Sequence, residues 1–366
     1  MAKRQGSMEG MEVKPDFWCG KRVFLTGHTG FKGGWLSLWL QSLGAEVHGY
    51  ALKPPTELNL FTVAEVAACM ASSTIADIRE ADNLRKAMQA ARPQIIFHLA
   101  AQPLVRYSYL YPVETYSTNV MGTVNLLEAV RATPSVKAVV NVTSDKCYEN
   151  REWVWGYREN EAMGGFDPYS SSKGCVELIS AAYRRSFLDT AGVALASARA
   201  GNVIGGGDWS EDRLLPDLLR ALESGEIVNI RSPQATRPWQ HVLEPLAGYM
   251  ALAEHLFNEG TVFAEGWNFG SENEDARSVG WIVERLAEIR PDLKWQADIT
   301  PQPHEAHYLK LDSSKAKSRL GWQPRWNLQT ALQQTVAWHQ AWCSGEHMRT
   351  FTLQQIECYL APETAC

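Results

Sequence analysis

Along the first half of the chain, short β-rich runs alternate with segments whose apolar residues recur at helical spacing. The runs at 22–26, 46–51, 74–78, 94–99, 138–143 and 193–199 predict strands, and the stretches 33–43, 80–91, 113–131 and 169–190 predict helices between them. Strands alternating with helices build parallel βαβ units with right-handed crossovers. The pattern therefore predicts an α/β fold, a doubly wound parallel sheet spanning 20–199, with residues 1–19 read as a leader. Beyond 199 the rhythm breaks into a glycine-rich stretch, 201–207, and then into shorter helices and proline-punctuated loops. A smaller mixed α/β carboxyl-terminal lobe is expected over 200–366, its last clear helix at 328–342 turning Leu332, Val336 and Trp338 toward a core.

Length and charge narrow the class. A chain of 366 residues can bury the core of a sheet domain and of an appended lobe. Apolar content of 45% and charged content of 21% are ordinary for globular proteins and exclude a disordered or fibrous chain. The net charge of -6 is spread without long blocks of one sign, so neither a nucleic-acid footprint nor a polybasic membrane anchor is present. No apolar run approaches the roughly 20 residues that a bilayer-spanning helix needs. The start of the chain lacks the apolar core of a signal peptide, and a cytoplasmic protein is expected. Seven cysteines show no CxxC or Cys/His metal spacing, which predicts reduced, mostly buried thiols and no metal. Cys147, although close to the candidate catalytic residues, reads as a buried hydrophobe.

Directly after the first predicted strand comes Gly27-His28-Thr29-Gly30-Phe31-Lys32-Gly33, and an apolar helix follows. Glycines at this junction let a backbone approach a pyrophosphate, and the helix amino terminus offers it unpaired N–H groups and partial positive charge. A lone glycine pattern is weak; between the first strand and first helix of a βαβ run it points to a dinucleotide, and the sheet to a Rossmann type. The acid that commonly follows about 20 residues on, to hold the adenosine ribose, is missing. The second strand runs out instead through Leu52-Lys53-Pro54, so the choice between NAD and NADP does not follow from this segment.

Tyr169 and Lys173 are one helical turn apart and leave the same helix face. An unperturbed tyrosine, with a pKa of about 10, is a poor base at neutral pH, but a nearby ammonium and an oxidised nicotinamide both favour phenolate. The pair opens the helix after the fifth strand, whose carboxyl end carries Thr143-Ser144-Asp145-Lys146. Ligands of open α/β sheets bind at that end. Ser144 is placed to hydrogen-bond both a reacting hydroxyl and the tyrosine.

In combination, Gly27-x-x-Gly30-x-x-Gly33, Ala76-Asp77-Ile78, His98-Leu99-Ala100-Ala101-Gln102, Asn119, Ser144-Asp145-Lys146, Tyr169-x-x-x-Lys173 and Arg199-x-x-Asn202 resemble the extended short-chain dehydrogenase/reductases over roughly 21–342. More narrowly, they resemble the nucleotide-sugar 4,6-dehydratases. Epimerases of that superfamily carry small uncharged residues at the positions of Asp145 and Lys146, and dTDP-glucose dehydratases carry Thr-Asp-Glu where this chain has Ser-Asp-Lys. Ser-Asp-Lys and the loop 27–33 look instead like the CDP-glucose 4,6-dehydratases. The resemblance implies NAD as cofactor, oxidation of the sugar at C4, loss of water across C5 and C6, and return of the hydride to C6. Asp145 would then be the acid for the departing C6 hydroxyl. Lys146 would be the C5 base if neutral, or an electrostatic stabiliser of the enolate if charged.

By the same resemblance Gly27, Thr29, Gly30, Phe31, Lys32, Gly33, Asp77, Ile78, Leu99, Ala100, Ala101, Gln102, Asn119, Thr143, Tyr169 and Lys173 would meet the cofactor, with Asn119 steadying the catalytic helix. Ser144 in the first domain and Asn202, Arg213 and Arg237 in the second lobe would meet the substrate, the guanidinium groups suiting a diphosphate. His304, His307 and Tyr308 sit in a family-like stretch without an assigned role. A homodimer formed through 113–131 and 169–190 is expected. A 4-epimerase or a dehydratase of another nucleotide-sugar would share most of these motifs; a non-catalytic dinucleotide sensor would need none of Ser144, Asp145, Tyr169 and Lys173.

Overall fold

The computed structural model describes residues 13–298 and 308–361. The strands are β1 (Arg22–Thr26), β2 (Glu46–Ala51), β3 (Ser72–Ile75), β4 (Ile95–His98), β5 (Ala138–Val142), β6 (Ala194–Ala200), β7 (Asn202–Ile204), β8 (Ile227–Ile230), β9 (Thr236–His241), β10 (Gly266–Phe269), β11 (Ala276–Ser278) and β12 (Lys294–Ala297). Seven of them form one sheet in the order β10-β6-β5-β4-β1-β2-β3, every pair parallel. The chain order reverses between β1 and β4, so the loops after these two strands face a crevice at their carboxyl ends. The predicted doubly wound, Rossmann-type sheet is thus present.

Helices cover both faces. One face packs Trp35, Leu38 and Trp39 of the helix Phe31–Ser42 with Leu246 and Met250 of Leu243–Glu259. The other packs Leu84 and Met88 of Ala81–Ala91 with Leu126, Leu127 and Val130 of Gly122–Arg131. Each such side chain, fully removed from water, contributes about 1.5–3 kcal/mol. Burial on both faces explains why the central strands β1, β4 and β5 read as nearly continuous apolar runs. Among the described residues no helix is long and apolar enough to cross a membrane.

The domain expectations need two corrections. Part of the expected leader is folded: Pro15–Trp18 is a helical turn, Trp18 is fully buried, and its indole donates to Glu254 at 2.9 Å. Phe17 packs edge-on against Phe257, so the aromatic pair draws this segment onto the core. The boundary at 199 does not separate two lobes either, because β10 forms the sheet edge beside β6 and the helix Leu243–Glu259 packs on the same sheet. The second lobe proper is built on the small sheets β11-β9-β7 and β12-β8 with its own apolar cluster around Leu218, Ile282 and Leu332. The thiols also depart from expectation: Cys147 is buried, but Cys19, Cys69 and Cys343 are exposed and Cys358 is disulfide-bonded.

Candidate active site

A cleft of about 1150 Å³ opens between the carboxyl ends of the parallel strands and the second lobe. Its floor is the glycine loop. Gly27 adopts φ +79°, and a Cβ there would stand 2.8 Å from the Ala100 amide nitrogen. A Cβ on Gly33 would stand 2.1 Å from the Gly27 carbonyl oxygen. Only glycine fits either position, and the first turn of the helix Phe31–Ser42 is left facing the cleft with no side chain over its amides. Thr29 ties this loop to the end of β2 by donating to the Leu52 carbonyl at 2.8 Å. Phe31, Lys32, Ile78, Leu99 and Ala101 line the same cavity.

The catalytic candidates meet above this floor. Asp167 caps the helix Pro168–Tyr183 by accepting from the Ser170 amide at 2.9 Å, and Pro168 fits its first turn. Tyr169 and Lys173 therefore leave the first two turns toward the cleft, which both line. Strand β5 delivers Thr143 and Ser144 in extended conformation, and Ser144 caps the tight turn Asp145–Cys147 by accepting from the Lys146 amide. The Ser144 hydroxyl donates to Asp145 Oδ1 at 3.0 Å. Asp145 Oδ2 is buried with no partner among the described residues. Lys146 is half-buried and lines the cleft.

The electrostatics follow from burial among cations. Burial pushes Tyr169 up to about 12; the Ser144 hydroxyl beside it and the Arg213 guanidinium oppose this, and the Asp145 charge adds to it. Burial brings Lys173 down to about 8 against the opposing charge of Glu177. Lys32 is likewise brought down to about 8, chiefly by burial and next by the Arg213 charge. From the second lobe, Asn202, Arg213 and Arg237 all line the cleft. Arg213 is held by Asp208 at 2.9 Å, and Arg237 donates to the Thr236 carbonyl at 3.0 Å.

Two expected cofactor contacts are placed differently. Gln102 and Asn119 do not line the cleft. Gln102 donates to Thr115 and to the Leu104 carbonyl, while Asn119 accepts from the Gln102 amide at 2.8 Å and donates to Ser172 at 2.9 Å. Asn119 thus ties the loop after β4 to the catalytic helix. Asp77 reaches the cleft, but its carboxylate is engaged by Arg79 through both oxygens, at 2.6 to 3.0 Å. A short polar residue at a strand end binds its own loop readily, and Arg79 two residues on supplies the partner. His304 and His307 lie outside the described residues; Tyr308 bridges to Thr236 at the start of β9.

Two groupings escaped the sequence. Glu177, one turn beyond Lys173, forms a buried ion pair with Arg199 at 2.7 Å, and its spacing was legible in the Tyr–Lys stripe. Away from the cleft, Glu223, His339 and Cys343 bring their ligand atoms within 4.8 Å of one another, with His339 and Glu223 hydrogen-bonded at 2.6 Å. His339 and Cys343 share a helix face, but Glu223 is distant in sequence.

Residues 24–335 match the family described as GDP-mannose 4,6 dehydratase. A curated relative, the CDP-glucose 4,6-dehydratase of Salmonella typhimurium, is 56% identical over 358 residues, 96% of this chain and 99% of its own length. A dTDP-glucose 4,6-dehydratase of Xanthomonas campestris is 27% identical over 91% of this chain and 97% of its own. Among solved structures, MoeE5 in complex with UDP-glucose and NAD superposes with a TM-score of 0.75 at 25% identity, over 88% of this chain and 100% of that one.

Proposed function

The chain belongs to the GDP-mannose 4,6-dehydratase family, and on that premise we propose that it is an NAD-dependent hydro-lyase converting CDP-D-glucose to CDP-4-keto-6-deoxy-D-glucose. The observation that carries the chemistry is the meeting of Tyr169, Lys173, Ser144 and a buried, half-satisfied Asp145 in one cleft above the glycine loop. The loop fits a dinucleotide because only backbone occupies its closest points. Held by the backbone of this loop and by Phe31, Ile78 and Leu99, NAD would supply reversible hydride acceptance, from C4 and back to C6, with no net redox change.

Each remaining step falls to a side chain. Tyr169 removes the C4 hydroxyl proton as a phenolate, which the Lys173 ammonium and the positive charge of an oxidised nicotinamide would favour against the burial that raises it, with Ser144 donating to the C4 oxygen. The C4 ketone acidifies the C5 hydrogen. Lys146 removes that proton, Asp145 protonates the C6 hydroxyl, and water departs. Lys146 then returns a proton to C5 as C6 is reduced. Arg213 and Arg237 hold the diphosphate. An epimerase needs no acid at position 145, so the buried Asp145 carboxyl favours the dehydratase.

A cytoplasmic homodimer completes the reading, supplying deoxysugars of the kind found in O-antigens. Its support is exposed apolar side chains on the two expected segments, where Val113, Met121 and Leu178 are 81%, 51% and 62% exposed, with Leu110 of the preceding helix Val105–Leu110 74% exposed beside Val113 in the chain. The deciding experiment incubates pure protein and NAD with CDP-, dTDP-, UDP- and GDP-linked sugars. CDP-glucose is expected to give the alkali-induced absorbance of a 4-keto-6-deoxy sugar; its absence there, with a signal on another nucleotide, would overturn the substrate assignment.

A further inference from the structure

The catalytic helix carries a third buried side chain on the face of Tyr169 and Lys173. Glu177 follows Lys173 by one more turn, and its oxygens are saturated. Oε1 accepts from Thr143 Oγ1 at 2.5 Å and from Arg199 Nε at 2.8 Å; Oε2 accepts from Ser197 Oγ at 2.5 Å and from Arg199 Nη2 at 2.7 Å. Thr143 immediately precedes Ser144 and Asp145. Beyond the turn Asp145–Cys147, the Tyr148 hydroxyl accepts from Arg199 Nη1 at 2.5 Å and donates to Asn268 Oδ1 at 2.7 Å. One ion pair therefore grips the turn at both ends, and it stands on the helix that bears the phenol and the ammonium.

From this geometry we infer that Glu177 and Arg199 are positioning residues which set the Ser144–Asp145–Lys146 turn against Tyr169 and Lys173, so that oxidation and elimination act on one sugar ring. Neither residue lines the cleft. Both act through others. A buried ion pair is seldom more stabilising than well-packed apolar side chains of the same volume, so its geometry rather than its stability is what the site uses. The pair also reaches the ammonium. Glu177 raises Lys173 against burial, with Cys147 adding to it. Among the other titratable groups facing the ammonium are Lys32 from the first helix, His98 from β4 and Tyr169 from its own helix. Glu177 supplies the anion that keeps Lys173 charged.

The role assigned to the pair rests on the dehydratase reading, and the test separates the two. Glu177→Gln is compared with Glu177→Gln/Arg199→Met, which leaves no buried guanidinium unpaired. Both are measured for kcat and KM on CDP-glucose across pH, and for the Lys173 titration by 13C NMR of lysine ε carbons, identified by its loss in Lys173→Met. The expected result in both variants is a kcat lowered about 100-fold. KM is expected within about threefold of wild type, with the alkaline limb of kcat and the Lys173 titration both moved to lower pH. Unchanged kcat, or a loss of kcat with the titration unmoved, overturns the inference. Wild-type protein that releases no water from CDP-glucose overturns the dehydratase reading instead, and the Lys173 titration in the variants still decides the role of Glu177.

Discussion

At the scale of single residues, the turn after β5 concentrates the chemistry that distinguishes elimination from simple oxidation. Asp145 keeps one oxygen on Ser144 and leaves the other buried without a partner among the described residues. Leaving a buried polar atom unsatisfied costs about 1–3 kcal/mol, which a bound sugar hydroxyl would relieve. Asp145→Asn keeps the shape but cannot deliver the proton. Water loss should fall about 100- to 10000-fold, the span over which a positioned general acid acts. Transfer of C4 deuterium to the cofactor should persist, as isotope-labelled substrate would reveal; water loss at the wild-type rate would remove Asp145 from the acid role. Lys146→Met tests its neighbour differently. Exchange of the C5 proton with deuterated solvent should disappear, and retained exchange would mean that Lys146 is not the base.

At the scale of elements, the site depends on ties between segments far apart in sequence. Asn119 lies in a five-residue π-type widening, Ser117–Met121, and joins the loop after β4 to the catalytic helix through Gln102 and Ser172. Asn119→Ala leaves the Gln102 amide and carbonyl unsatisfied, so stability should drop by about 1–3 kcal/mol in urea unfolding. An unchanged midpoint would show that the tie carries nothing. The same distinction explains what the sequence made legible. The glycine loop and the Tyr–Lys stripe are local patterns, and β1 and β2 have the bounds their apolar runs predict. The helix Leu243–Glu259 was opaque because it is apolar on nearly every side and so lacks a polar face to mark its period. Strand β10, four residues long, joins the sheet only through β6, which no local pattern announces. The ion pair of Asp77 with Arg79, two residues on, is not written in the spacing that placed Asp77 at the cleft.

At the scale of the whole molecule, the exposed apolar face predicts association. Leu178→Glu should convert a dimer to a monomer by light scattering without loss of helical circular dichroism; a monomeric wild-type protein would sink the interface. The interior makes a second prediction, on pH. Burial, the main cause in each case, pulls His28 down to about 4 and His98 and His241 to about 3, from 6.5. These imidazoles stay neutral in the folded chain while the unfolded chain protonates them, so their stability contribution is present above 6.5 and is lost as pH falls toward the folded values. Burial raises Glu244 from 4.5 to about 7, so the folded chain holds that proton more tightly and gains stability over the same descent. Between pH 6.5 and 5.5 the three histidines lose stability on descent, and the single Glu244 offsets only part of that loss. A net loss should appear as a lower urea midpoint at pH 5.5. Glu244→Gln removes the opposing titration and should make the acid loss steeper, whereas equal or greater stability at pH 5.5 in either protein would mean that the buried imidazoles do not govern this range.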